Sequence, residues 1–102
     1  MLSRIDLHEK LEEILGSKNI YFQPPATVQM KYPAIVYSRR NIKVDYADGL
    51  NYILSPCYEI VLIDKNPESE FIEKLIALPY CSYDRHYESD NLNHDVFTIY
   101  QN

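Results

Sequence analysis

Apolar residues recur at helical spacing in two parts of this 102-residue chain and at strand spacing in several others. Leu7, Leu11, Ile14 and Leu15 repeat as one buried helix face would, while Glu9, Lys10, Glu12 and Glu13 take the opposite side. Ser3 is placed to cap this helix with Asp6 at N3, Leu2 and Leu7 form a hydrophobic staple, and Gly16 is a natural C′ residue. The pattern predicts a second helix with Asn66 as N-cap and Pro67 in the first turn. Glu68 and Glu70 would then face the positive end of its dipole. Phe71, Ile72, Leu75, Ile76 and Leu78 supply its apolar face, and Pro79 stops it.

Strand signals fill the intervals. Residues 19–23 form a short apolar run ended by Pro24-Pro25, and residues 26–31 read as a loop or irregular edge. Residues 32–38 form a buried strand. Ile42, Val44 and Tyr46 then alternate with Lys43 and Asp45, as in a strand with one wet face. Asp48-Gly49 is a hairpin turn signal. Tyr52 and Leu54 begin the return, Pro56 marks a bulge or edge, and residues 58–63 run into the core. Two more strands are expected at residues 81–87 and 95–100, joined by a five-residue Ser-Asp-Asn-Leu-Asn turn at residues 89–93, with Asp90, Asn91 and Asn93 forming Asx turns. The order α-β-β-β-α-β-β, in one domain spanning residues 1–102, predicts an α+β fold. Two helices would pack on one face of a mostly antiparallel sheet.

Composition narrows the function classes. The hydrophobic fraction of 46% and charged fraction of 25% are those of a globular chain, so disorder is not expected. Ten tyrosines and no tryptophan suit either a half-exposed sheet or a protein interface, since tyrosine covers apolar surface while its hydroxyl stays wet. A net charge of −5 argues against a nucleic-acid grip, for which only Arg39, Arg40 and Lys43 come near a basic cluster. Cys57 and Cys81 are too few for a disulfide framework and lack metal-type spacing, which predicts buried thiols in a reducing compartment. No leader peptide and no membrane span are expected, because a charged helix follows Met1 and no apolar run is long enough.

Chemistry-bearing residues are few. His86, Asp90, His94 and Asp95 are the one group resembling a metal or acid–base site, as a small metal-dependent hydrolase would need. Their spacing matches no ligand motif, and turn and strand-face roles explain them. Arg85 would share a strand face with Tyr83 and Tyr87 and stack on a ring. The cysteines have no neighbour that would lower a thiol pKa, and Ser55 lacks a nucleophile-elbow context. No catalytic residue, cofactor or metal site is predicted. Arg39, Arg40 and Lys43 are either a charged edge that discourages stray strand pairing or a patch that meets an acidic neighbour. With Tyr46, Asp48, Asn51 and Tyr52 they form the candidate interface.

Three stretches together resemble the small tail-completion proteins encoded among the neck genes of tailed bacteriophages. They are residues 7–16 (LHEKLEEILG), residues 20–25 (IYFQPP) and residues 30–37 (MKYPAIVY). Tyr46-Ala47-Asp48 and Asn91-Leu92-Asn93-His94-Asp95 add to the likeness, which covers nearly the whole chain. The resemblance implies a tail terminator, a virion protein assembled in the host cytoplasm. Such proteins form a homo-oligomeric ring, commonly a hexamer, on the head-proximal end of the tail tube. The implied partners are further copies of the chain, the major tail tube protein and the head connector or stopper protein. DNA would pass through the channel without specific binding, and no membrane is involved. Another phage neck or tail-assembly binding protein is the alternative.

Overall fold

A computed structural model of the chain describes residues 4–47 and 51–101. It contains α1 (Arg4–Leu15), β1 (Ile20–Phe22), β2 (Ala34–Ala47), β3 (Asn51–Asp64), α2 (Phe71–Ile76), β4 (Cys81–Ser89) and β5 (Leu92–Tyr100). The strands form one sheet in the order β1-β2-β3-β5-β4, in which β1 runs parallel to β2 and every other pair is antiparallel. The fold is α+β, with a mostly antiparallel five-stranded sheet and two helices.

Helix α1 forms as its spacing requires. Leu7, Leu11 and Leu15 are buried, and Ile14 packs at the margin of the core. Gly16 ends it at φ +73°, where a Cβ would be strained, and its N–H donates to the Glu12 carbonyl at 2.9 Å. The expected Ser3 cap and the Leu2 half of the staple lie outside the described residues. Leu7, Leu11 and Leu15 join Leu75 and Leu78 in one cluster with Ile35, Tyr37, Tyr58, Ile60, Leu62, Phe97 and Ile99, the inward set of three central strands.

The second helix is shorter than its apolar pattern suggests, and its start is different. Asn66 does not cap it: the Asn66 Oδ1 accepts the Glu68 N–H at 2.9 Å, and Asp64 Oδ1 accepts the Asn66 N–H at 3.1 Å. These local Asx turns satisfy the backbone without helix and delay its onset. Ser69 Oγ accepts the Phe71 N–H instead. Only six residues are helical; Leu75 is fully buried, Leu78 packs from beyond the helix end, and Ile76 is exposed.

On the reverse face Ala34, Ile63 and Val96 are buried. Val28 and Met30, from the loop between β1 and β2, line a shallow cleft there with Val36 and Val61. The β4–β5 connection is tighter than a five-residue turn. Asp90 and Asn91 alone make it, at φ 54° and 63°, the two positive values of a type I′ hairpin.

Candidate functional site: an open hairpin arm

Strands β2 and β3 pair continuously from Ala34↔Ile63 out to Ala47↔Asn51. Their neighbours do not follow them. β1 pairs with β2 only as far as Tyr37, and β5 pairs with β3 only from Cys57 inward. Residues 41–47 and 51–56 therefore form a two-stranded ribbon with both edges open among the described residues. Six residue steps at strand rise give an arm of about 20 Å. The molecule measures 50 × 27 × 23 Å, so the arm is comparable to its cross-section.

A β-bulge sets which way the arm faces. The register passes from Arg39↔Tyr58 to Asn41↔Cys57, so Arg40 is the extra residue. Before it the odd positions Ile35 and Tyr37 point at the helices; beyond it Ile42, Val44 and Tyr46 stand opposite Pro56, Leu54 and Tyr52. Tyr58 faces the helices, so by alternation Leu54 and Pro56 do too. The helix-side face of the sheet thus runs on past the helices as an apolar stripe. Ile42 is 37% exposed, Val44 42%, Leu54 36% and Tyr46 78%. Large apolar side chains in a row on one uncovered face mark a surface built to be covered.

Pro56 lies inside β3 rather than at a break. Its carbonyl accepts the Gln101 N–H at 2.9 Å, so its missing N–H points to the side where β5 is ending and costs little ladder. The bulge expected near it sits across the ladder, at Arg40.

The predicted interface residues divide. Arg39 faces the helix side, beside Arg4, Phe22 and Tyr58, and its backbone N–H donates to Gln23 Oε1 at 3.2 Å. Arg40 pairs with Glu59 at 3.2 Å, and Lys43 Nζ lies 3.8 Å from Asp45. Glu59 and Ser55, the cross-strand partner of Lys43, alternate away from the helices, so the three cations occupy two faces and not one stripe. The Lys43–Asp45 pair is largely solvated and holds little energy, whereas Glu59 is only 21% exposed where it meets Arg40. Asp48 lies outside the described residues. Asn51 and Tyr52 pair with Ala47 and Tyr46, and their side chains also lie outside what is described.

The arm is anchored at its base by an aromatic cluster under α1. Tyr37 is buried between the rings of Phe22 and Tyr58, with centroids at 4.9 and 6.0 Å. Its hydroxyl meets His8 Nδ1 at 2.7 Å and accepts from Arg4 at 3.2 Å. Burial pushes the Tyr37 pKa up, against the opposing pull of the Arg4 guanidinium.

Of the possible metal group only His86 and Asp95 come together, as cross-strand partners lining one shallow cleft. Asp95 is buried on the helix side, where its Oδ1 accepts the Tyr83 hydroxyl at 2.7 Å, while His86 Nε2 meets Asn93 Oδ1 at 3.1 Å. His94 alternates to the reverse face and stacks on Tyr87 with centroids 4.6 Å apart. Asp90 is spent on the turn. A second bulge, at Asp84, separates Tyr83 from Arg85, so Arg85 lies over Tyr87 but does not share a face with Tyr83. Burial, aided by the Asp84 charge, pushes the Cys81 thiol up to about 11, away from thiolate chemistry.

One feature at the arm's base had no signal in the sequence. Leu7, Leu78, Pro79, Tyr80, Ile99 and Gln101 line a largely apolar groove of about 620 Å³ between α1 and the end of β5. Gln101 is 3% exposed, and its Oε1 has no hydrogen-bond partner among the described residues. A lone glutamine near a chain end is unremarkable until the fold encloses it.

No family model and no curated protein matches the chain.

Proposed function

We propose that the protein is a ring subunit of a tailed-phage neck, a tail terminator that caps the head-proximal end of the tail tube and joins it to the head connector. The open hairpin arm carries this reading. It displays an apolar stripe and, among the described residues, two unpaired edges, and burying them against another chain would be favourable. A ring needs each subunit to present two different lateral surfaces, and the arm offers one of them. The resemblance supplies the setting, and the net charge of −5 suits a channel through which DNA slides without being held.

The test is a phage carrying Arg39→Glu with Arg40→Glu. Both residues sit where the arm leaves the body, outside the buried core, and the Arg40 side chain is largely exposed. The variant should fold, yet accumulate filled heads, unjoined tails and some overlong tails in electron micrographs of the lysate. Mass spectrometry of intact wild-type tails should find the protein in stoichiometric amount. Normal particle yield from the double variant, or absence of the protein from tails, refutes the reading. Absence from tails would favour a tail-assembly protein that never enters the particle.

A further inference from the structure

We propose that the groove at Gln101 is the receiving site for the hairpin arm of a neighbouring copy, with the Gln101 Oε1 accepting a backbone N–H from the arm's open edge. The inference rests on the ring reading above and names both halves of its lateral contact. Two observations carry it.

A buried amide oxygen without a donor costs free energy in the isolated chain. Gln101 is held there by its own N–H bond to the Pro56 carbonyl, so the side chain is presented and not frayed. An acceptor kept unsatisfied in an apolar groove awaits a donor from outside.

The occupant must then bring an N–H together with apolar surface. The arm brings both. Its edges are unpaired beyond Tyr37 on β2 and before Cys57 on β3, and Ile42, Val44, Tyr46 and Leu54 lie on one face. Asn41 Oδ1 already satisfies the Ile42 N–H at 2.8 Å, which leaves the donors nearer the tip to be met from outside. The arm's reach of about 20 Å compares with a body 23–27 Å across, so it can lie over the end of a neighbour.

The experiment places a photoreactive benzoylphenylalanine at Tyr46, a residue too exposed to matter for folding. The full-length protein is irradiated in concentrated solution and on assembled tails. Cross-links between copies should map to residues 78–80 or 99–101. A second variant, Gln101→Leu, should lower the cross-linked yield about tenfold, as loss of one buried acceptor would. Its folding stability should not fall, because an unsatisfied oxygen has been removed. Cross-links that map elsewhere, or none in either setting, overturn the proposal. So does a Gln101→Leu protein that loses stability while cross-linking normally. If the expected cross-link forms in solution but tails lack the protein, the arm–groove contact stands and the neck assignment falls. If tails contain the protein with Tyr46 cross-linked elsewhere, the assignment stands and the groove falls.

Discussion

Leu11→Ala and Leu75→Ala test the two-helix core with a difference in size as well as a sign. Both leucines are fully buried in the same cluster. Each substitution removes three carbons, about 2.4 kcal/mol of transfer free energy at roughly 0.8 per methylene. The remaining cost depends on how far the surroundings close the cavity. Leu11 lies central to a twelve-residue helix fixed on both sides by Leu7 and Leu15, so its cavity stays open and about 3–5 kcal/mol is expected. Leu75 belongs to a six-residue helix between turns, which can settle inward, and about 2–3 kcal/mol is expected. Urea denaturation with a slope of about 1–1.5 kcal/mol/M would then show the Leu11→Ala midpoint lower by about 2 M or more. Ile76→Ala, one residue from Leu75 but exposed, should stay within about 0.5 kcal/mol of the parent. A loss below about 1 kcal/mol at Leu11, or a larger loss at Leu75 than at Leu11, would refute the reasoning.

Tyr83 should give the domain an alkaline limit. Although the ring is 42% exposed, desolvation of its hydroxyl and the Asp95 hydrogen bond push its pKa up to about 12 from the ordinary value of 10.0, so the neutral phenol's contribution to the fold is present below about pH 10. That contribution is lost as pH rises toward 12, and Tyr83→Phe should flatten the stability-versus-pH curve there; an unchanged curve counts against the shift. Asn91→Val should destabilise by about 1–2 kcal/mol because a β-branched residue resists φ 63°, whereas Asn91→Gly should be close to neutral in the same melts. Light scattering should find the purified protein monomeric or weakly associated without tail tube, and a salt-resistant ring at micromolar concentration would contradict a template-dependent assembly.

What could be read from the sequence was whatever rested on one clear period. Helix α1 followed from the spacing of Leu7, Leu11 and Leu15 and from Gly16, and the strand order along the chain followed from the turn residues. Failures came where two local preferences competed. Asn66 looked like a helix cap, but its side chain and that of Asp64 close turns first, and the helix waits until Phe71. Tyr83, Arg85 and Tyr87 looked like one face, but the bulge at Asp84 shifts the alternation between the first two. The bulge at Arg40 did leave a trace: buried positions are odd at Ile35 and Tyr37, and the apolar stripe is even at Ile42, Val44 and Tyr46. Such a change of parity within one strand is the signature of an inserted residue. The groove left no trace, because Leu7, Tyr80 and Gln101 meet only through the tertiary packing of three separate elements.

The placement of that bulge has a consequence for the arm. Had β2 alternated without interruption, its even positions would have stayed on the reverse face, and Ile42, Val44 and Tyr46 would have turned away from the helices. With Arg40 inserted, those three side chains line up with Leu54 on the side that also holds the Gln101 groove. The arm's apolar face and the groove therefore look the same way from one subunit. Two copies related by a simple rotation about an axis through the contact would bury arm in groove reciprocally and stop at a dimer. A ring instead requires each arm to enter the next groove in a single rotational sense, a heterologous contact that closes only at one number of subunits. An open apolar ribbon that failed to close would invite filaments, the hazard of any long unpaired edge. The charges at Arg40 and Lys43 on the reverse face and the Asn41 side chain capping the Ile42 N–H limit stray pairing near the arm's base. Only the apolar face toward the tip is left for a partner, and a tube end that gathers the subunits in one orientation would decide which partner arrives.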